Sequence, residues 1–110
     1  MIHRTTSREP GLARVRNVVA SLVVSGPVSL ELTAKTLGTS QRTLQRRLCG
    51  RGISFWTIVE QSRFEIATAL LRGTHLSVQE IGSCVGYGTP GAFARAFVKW
   101  AGVAPRAYRL

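Results

Sequence analysis

The sequence predicts an all-α chain of about seven helices, built as two helix-turn-helix units joined by a long linking helix. Two segments, "LELTAKTLG" (residues 30–38) and "VQEIGSCVG" (residues 78–86), repeat each other at a constant offset of 48. The similarity resumes in "LQRRL" (44–48) and "FARAF" (93–97) at an offset of 49, so the second turn is one residue longer. Between the copies runs "FWTIVEQSRFEIATALLRG" (55–73), whose apolar residues recur at helical spacing. No stretch alternates convincingly as a strand would.

A first helix is expected over about residues 10–25, with Leu12, Val15, Val19, Leu22 and Val23 facing inward. In the next, Leu30, Thr33, Ala34 and Leu37 fall at i, i+3, i+4 and i+7, the inward face of a short helix. Ser29 stands before it as N-cap, and Gly38 suits a left-handed cap after it. Ser40 caps the third helix, and "GIS" (52–54) closes it. The linking helix, expected over residues 55–72, carries Phe55, Ile58, Val59, Ser62, Ile66, Ala67, Leu70 and Leu71 as one mostly apolar stripe. In the second copy, Ser77 and Glu80 form a capping box ahead of Ile81, Gly82 and Val85, and Gly86 matches Gly38. Thr89 with Pro90 starts the following helix, since proline at the first helical position sacrifices no hydrogen bond. "GVA" (102–104) closes it. Residues 1–9 read as a polar tail. The domain then divides into a first unit over 10–52, the linking helix over 53–73 and a second unit over 74–110.

Charge narrows the function. The 110 residues carry fifteen basic and five acidic side chains, a formal net charge of +10. Thirteen of the fifteen are Arg, all five acids are Glu, and Asp is absent. Such a surplus points to a polyanionic partner, the alternative being a merely solvated surface. Enzyme chemistry is disfavoured, because few carboxylates or histidines are available as general acids or bases. His3 lies in the tail and His75 in a loop, neither at metal-ligand spacing. Cys49 and Cys84 show no CxxC pattern and read as ordinary thiols in a reducing compartment. No phosphate-binding glycine loop is present, no metal or cofactor is expected, and no apolar run reaches membrane-spanning length. A cytoplasmic location is therefore expected.

The segments "LGTSQRTLQRRL", "SRFEIATALL", "SVQEIGSCVGYGTPGAFARAF" and "GVAPRAYR" together resemble the DNA-binding domain of the AraC/XylS transcription regulators. The likeness covers about residues 10–109. It is most specific in the second unit, at Ile81, Gly86, Tyr87, Phe93, Arg95, Phe97, Gly102, Pro105, Tyr108 and Arg109. "SQRTLQRRL…GISF" looks most like the branch of ornithine- and arginine-utilisation regulators. The resemblance implies a recognition helix in each unit presented to a major groove, and transcription control, commonly activation through RNA polymerase. Gly82 departs from the small helix former Ala usual there, which costs the helix up to about 1 kcal/mol and leaves room for closer packing. Gly91 stands where Ser is frequent. Most members also carry an effector or dimerisation domain, for which this chain has no room. No effector site is expected within it, and the isolated domain is expected to be monomeric.

With Leu44 and Leu48 against the core, Arg42, Gln45, Arg46 and Cys49 fall on the opposite face of the third helix. Arg pairs bidentately with guanine and Gln with adenine, and the family's base-contacting positions match Arg42, Gln45 and Arg46. In the second recognition helix the outward positions are Gly91, Ala94, Arg95 and Val98. Only Arg95 is equipped there to read a base by hydrogen bonding, while Ala94 and Val98 suit thymine methyls, the alternative for Val98 being packing elsewhere. Ser40, Thr43, Arg47, Arg51, Thr89, Lys99, Arg106 and Arg109 are the expected phosphate contacts. The first unit is thus expected to select sequence and the second mainly to anchor. The linking helix, roughly 27 Å long, compares with about 34 Å between successive major-groove windows, so two adjacent segments of duplex are the expected target. Phe93, Phe97, Tyr87 and Trp100 are read as core. Arg63, which matches a family Arg, is expected to brace the two units through a buried hydrogen bond or to reach a phosphate. Rival readings are the DNA-docking module of a recombinase or transposase, and a polymerase or co-regulator contact with little base reading.

Overall fold

A computed structural model describes residues 11–109. Within them the chain forms seven helices and no strand. They are α1 (Leu12–Ser25), α2 (Leu30–Thr36), α3 (Gln41–Gly50), α4 (Phe55–Gly73), α5 (Val78–Cys84), α6 (Pro90–Ala101) and α7 (Pro105–Arg109). The polar tail with His3, the expected start at Pro10, and Leu110 lie outside the described residues. The all-α reading and its elements hold, with boundaries shifted by a residue or two.

Local chemistry explains where helices begin. Ser29, Ser40, Ser77 and Thr89 each accept a backbone N–H from the first turn that follows, from Leu32, Thr43, Glu80 and Ala92. Each cap satisfies a donor that the helix leaves unpaired and contributes about 1 kcal/mol. Ser77 and Glu80 complete the capping box reciprocally. Between the helices of each pair the chain turns at Gly38 (φ 76°) and Gly86 (φ 98°). A side chain would be strained in that left-handed conformation, and the turn is what lets α3 and α6 leave at an angle.

The chain divides within α4 into two compact units, one ending at Val59 and the other beginning at Glu60. In the first, α1 packs on α2 and α2 on α3. Its core takes Val15, Val19 and Val23 from α1, Ala34 and Leu37 from α2 and its end, Leu44 and Leu48 from α3, and Phe55, Ile58 and Val59 from α4. Thr33 is fully buried yet satisfied, its hydroxyl donating to the Ser29 carbonyl at 2.8 Å. In the second unit α5 packs on α6 and α6 on α7. Ala67, Leu71, Ile81, Val85, Phe93 and Phe97 are buried there. The two phenylalanines each contribute about 2–3 kcal/mol of burial. No single helix among the described residues is long and apolar enough to cross a membrane.

Candidate nucleic-acid interface

Leu44 and Leu48 dock α3 with almost no exposed surface, while Arg42, Gln45, Arg46 and Cys49 on the other side are exposed. Arg47 in the last turn suits the helix dipole, but Arg42 and Arg46 gain nothing from α3. Arg42 lies in the first turn, where the helix dipole is already positive, and no acidic residue accompanies it. Arg42 and Arg46 are spaced i, i+4, so their like charges repel by a few tenths of a kcal/mol. Arg42 and Arg46 therefore add nothing to the stability of the helix that carries them.

At the start of α3, Ser40 Oγ accepts the Thr43 N–H at 3.1 Å and donates its proton to Thr43 Oγ1 at 2.9 Å. A hydroxyl has one proton, so Thr43 rather than Ser40 keeps one to offer outward. Arg47 is half-buried at the flank, and Arg51 is exposed just past the helix end.

The second recognition helix is docked by rings. Phe93 and Phe97 are fully buried, and their centroids stand 5.8 Å apart. Tyr87 lies 5.8 Å from Phe93, and Trp100 lies 6.4 Å from Phe97. Tyr87 and Trp100 join this cluster but are only half-buried, so they stand at the edge of the core and not within it as Phe93 and Phe97 do. Phe64 of α4 joins it, 5.6 Å from Phe97. The stripe read from the sequence omits Phe64, although it lies three residues before Ala67 and seven before Leu71, on the edge of the same face. Outward on α6 stand Gly91, Arg95, Val98 and Lys99, all exposed, with Ala94 half-buried. Thr89 Oγ1 accepts the Ala92 N–H at 3.2 Å and keeps its own proton to donate.

Two arginines differ from expectation. Arg109 is not free to grip phosphate: its Nε donates to the Leu71 carbonyl at 3.0 Å and its Nη2 to the Thr74 carbonyl at 3.3 Å. It caps the electronegative end of α4, where a cation is favoured. Beside it Arg72 lies 4.7 Å from the centre of the Tyr108 ring. Arg63 is held by a ring face instead of a buried hydrogen bond. Its guanidinium is 5.3 Å from the Tyr87 centroid, and its buried Nε has no hydrogen-bond partner. Arg106 remains exposed on α7. Trp56, exposed at the start of α4 and edge-on to Phe55 at 5.2 Å, is a feature the sequence reading did not single out.

Residues 33–110 match a family described as a helix-turn-helix domain. The ornithine utilization regulator of Pseudomonas aeruginosa is 35% identical over 98 residues, which are 89% of this chain and 29% of that protein. Its name agrees with the branch that the α3 region resembles. The C-terminal domain of AraT, a response regulator from Geobacillus stearothermophilus, superposes with a TM-score of 0.77 at 36% identity, covering 94% of this chain and 87% of that one. The DNA-binding domain of AdpA, a global transcriptional factor solved in complex with a target DNA, gives a TM-score of 0.68 at 27% identity over 86% and 88% of the two chains. Against the curated regulators that it matches, the chain spans between 22% and 36% of their length. These relatives are regulators by name, and one is a global transcriptional factor. With that match running across most of its length and a helix-turn-helix pair in each half, the chain belongs to the AraC/XylS family of transcription regulators and carries the family's DNA-binding domain.

Proposed function

We propose that the chain selects its DNA sites chiefly through α3. Arg42 and Arg46 read guanines and Gln45 an adenine, while Arg95 supplies the one polar base contact of α6. Thr43, Arg47, Arg51, Thr89, Lys99 and Arg106 meet phosphates and set register, with Ser40 and Thr89 also aligning the amides at the two helix starts. The observation that carries this reading is the split face of α3, with Leu44 and Leu48 buried and Arg42, Gln45 and Arg46 exposed. The regulator acts as an activator through contact with RNA polymerase. The domain binds as a monomer and holds no effector site.

In vitro selection from a randomised duplex pool tests it. Enriched sites are expected to bind about 10³-fold or more tighter than scrambled duplex. With roughly 6–10 phosphate contacts, affinity should fall about 10³–10⁵-fold between 50 and 200 mM salt. Arg42→Ala with Arg46→Ala should erase the enrichment. Salt-sensitive binding without any enrichment would overturn the base-reading roles. A promoter reporter that falls when the regulator is present would overturn activation.

A further inference from the structure

At the repeat offset of 49, Gly91 of α6 stands where α3 has Arg42, and Arg95 where α3 has Arg46. Long side chains on a helix lean toward its N-terminus, over the preceding turn. Arg95 does so, and its Nη1 lies 3.3 Å from the place a Cβ on Gly91 would take. That is tighter than most real contacts, so a side chain at position 91 would push the guanidinium end aside by a few tenths of an ångström. Of the outward neighbours of Arg95, Ala94 and Val98 offer no hydrogen bond, Val98 is 44% exposed, and Lys99 lies a turn further on, among the expected phosphate contacts. Apart from Lys99, assigned to phosphate, the outward face of α6 therefore has one polar reader, seated low over the first turn, beside a short strip of methyl groups.

We propose that Gly91 is a specificity-determining residue of the second unit. Its missing side chain seats the Arg95 guanidinium over the first turn of α6, where it reads a single guanine through O6 and N7. Ala94 and Val98 take thymine methyls beside that guanine. The proposal rests on the DNA-recognition reading above and adds to it the composition of the second site, a guanine flanked by thymine. In α3 the corresponding place holds Arg42, whose like charge opposes a guanidinium lying across it. The two units therefore present their shared arginine differently.

The test uses the 110-residue chain with the first half-site fixed at its enriched sequence and the second randomised. It compares wild type with Gly91→Ala, Gly91→Ser, Arg95→Ala and the Gly91→Ala/Arg95→Ala double variant. Wild type is expected to favour guanine at one position by about tenfold or more. Both Gly91 variants should lower that preference by on the order of threefold or more and leave binding to scrambled duplex unchanged. Arg95→Ala should remove it, and the double variant should match Arg95→Ala. Alanine favours a helix over glycine, and the neighbour it meets is the far end of a flexible side chain, so the variants fold, as a thermal melt will verify. Three results would overturn the proposal: an undiminished guanine preference in the Gly91 variants, an Arg95→Ala loss equal on every duplex, or a Gly91→Ala effect that persists without Arg95. Absence of any selection by wild type would instead overturn the recognition reading, and this proposal with it.

Discussion

Phe93 packs so closely on Gly82 that a Cβ there would stand 3.0 Å from both its Cβ and its Cγ. The contact joins α5 to α6, and it involves the part of the ring side chain nearest its backbone. The helix-weakening glycine thereby permits full burial of Phe93.

Gly82→Ala sets two opposed effects against each other. Helix propensity gains up to about 1 kcal/mol, and forcing a methyl into a filled space costs about 1–3 kcal/mol. Because Phe93 has no flexible end at the contact, overpacking should win, with a net loss of about 1 kcal/mol in thermal or urea unfolding. A stabilised variant would show that α5 and α6 can separate slightly without penalty.

The features legible in the sequence are those set by neighbours along the chain. Ser29, Ser40, Ser77 and Thr89 bond to residues three positions away, so the order of residue types is enough to find them. Gly38 and Gly86 are legible for the same reason. Arg109 is the opposite case, since its carbonyl partners lie 38 and 35 residues earlier. An arginine announces its charge in the sequence, whereas the direction of its long side chain is decided by tertiary packing. Arg63 illustrates the same limit, its position set by Tyr87 across the fold. On α3 the spacing of Leu44 and Leu48 alone determines which arginines face out.

Arg109→Ala should therefore act on stability. Removing charged hydrogen bonds to the Leu71 and Thr74 carbonyls is expected to cost about 1.5–3 kcal/mol in unfolding free energy. Arg109→Lys should recover only part of this, because an ammonium lacks the planar fork that reaches two acceptors. The salt dependence of DNA binding should be unchanged in both, and a slope lowered by about one would restore Arg109 as a phosphate contact.

The exposed cations Arg51 and Lys99 should behave in the reverse way. Each change to Ala should leave the melting temperature nearly unchanged, weaken binding to all duplexes alike and lower the salt slope by about one. Gln45→Ala should instead spare scrambled duplex and lose about 5- to 150-fold on the selected site, equivalent to about 1–3 kcal/mol, with the preference relaxed at one adenine. A titration series at several salt concentrations separates the two patterns. Uniform loss in Gln45→Ala would assign it to the backbone rather than to a base.

The capping box of α5 carries a pH dependence. The Ser77 backbone N–H donates to Glu80 Oε1 at 2.8 Å, and Ser77 Oγ accepts the Glu80 N–H at 3.0 Å. Hydrogen bonds from the Ser77 backbone, and then from its side chain, hold the Glu80 carboxyl below its ordinary value of 4.5. A carboxyl with a lowered folded-state pKa binds its proton more readily when unfolded, so the ionised form favours folding. That contribution is complete above pH 4.5 and is lost as the pH falls through the lower value of the folded state. Glu80→Gln keeps a side chain able to close the box but removes the charge. Melting curves of the two proteins should therefore be furthest apart at neutral pH and converge on acidification below pH 4.5. A gap that stayed constant down to pH 3 would mean that the box works through hydrogen bonding alone and that the carboxylate charge at the head of α5 is without consequence.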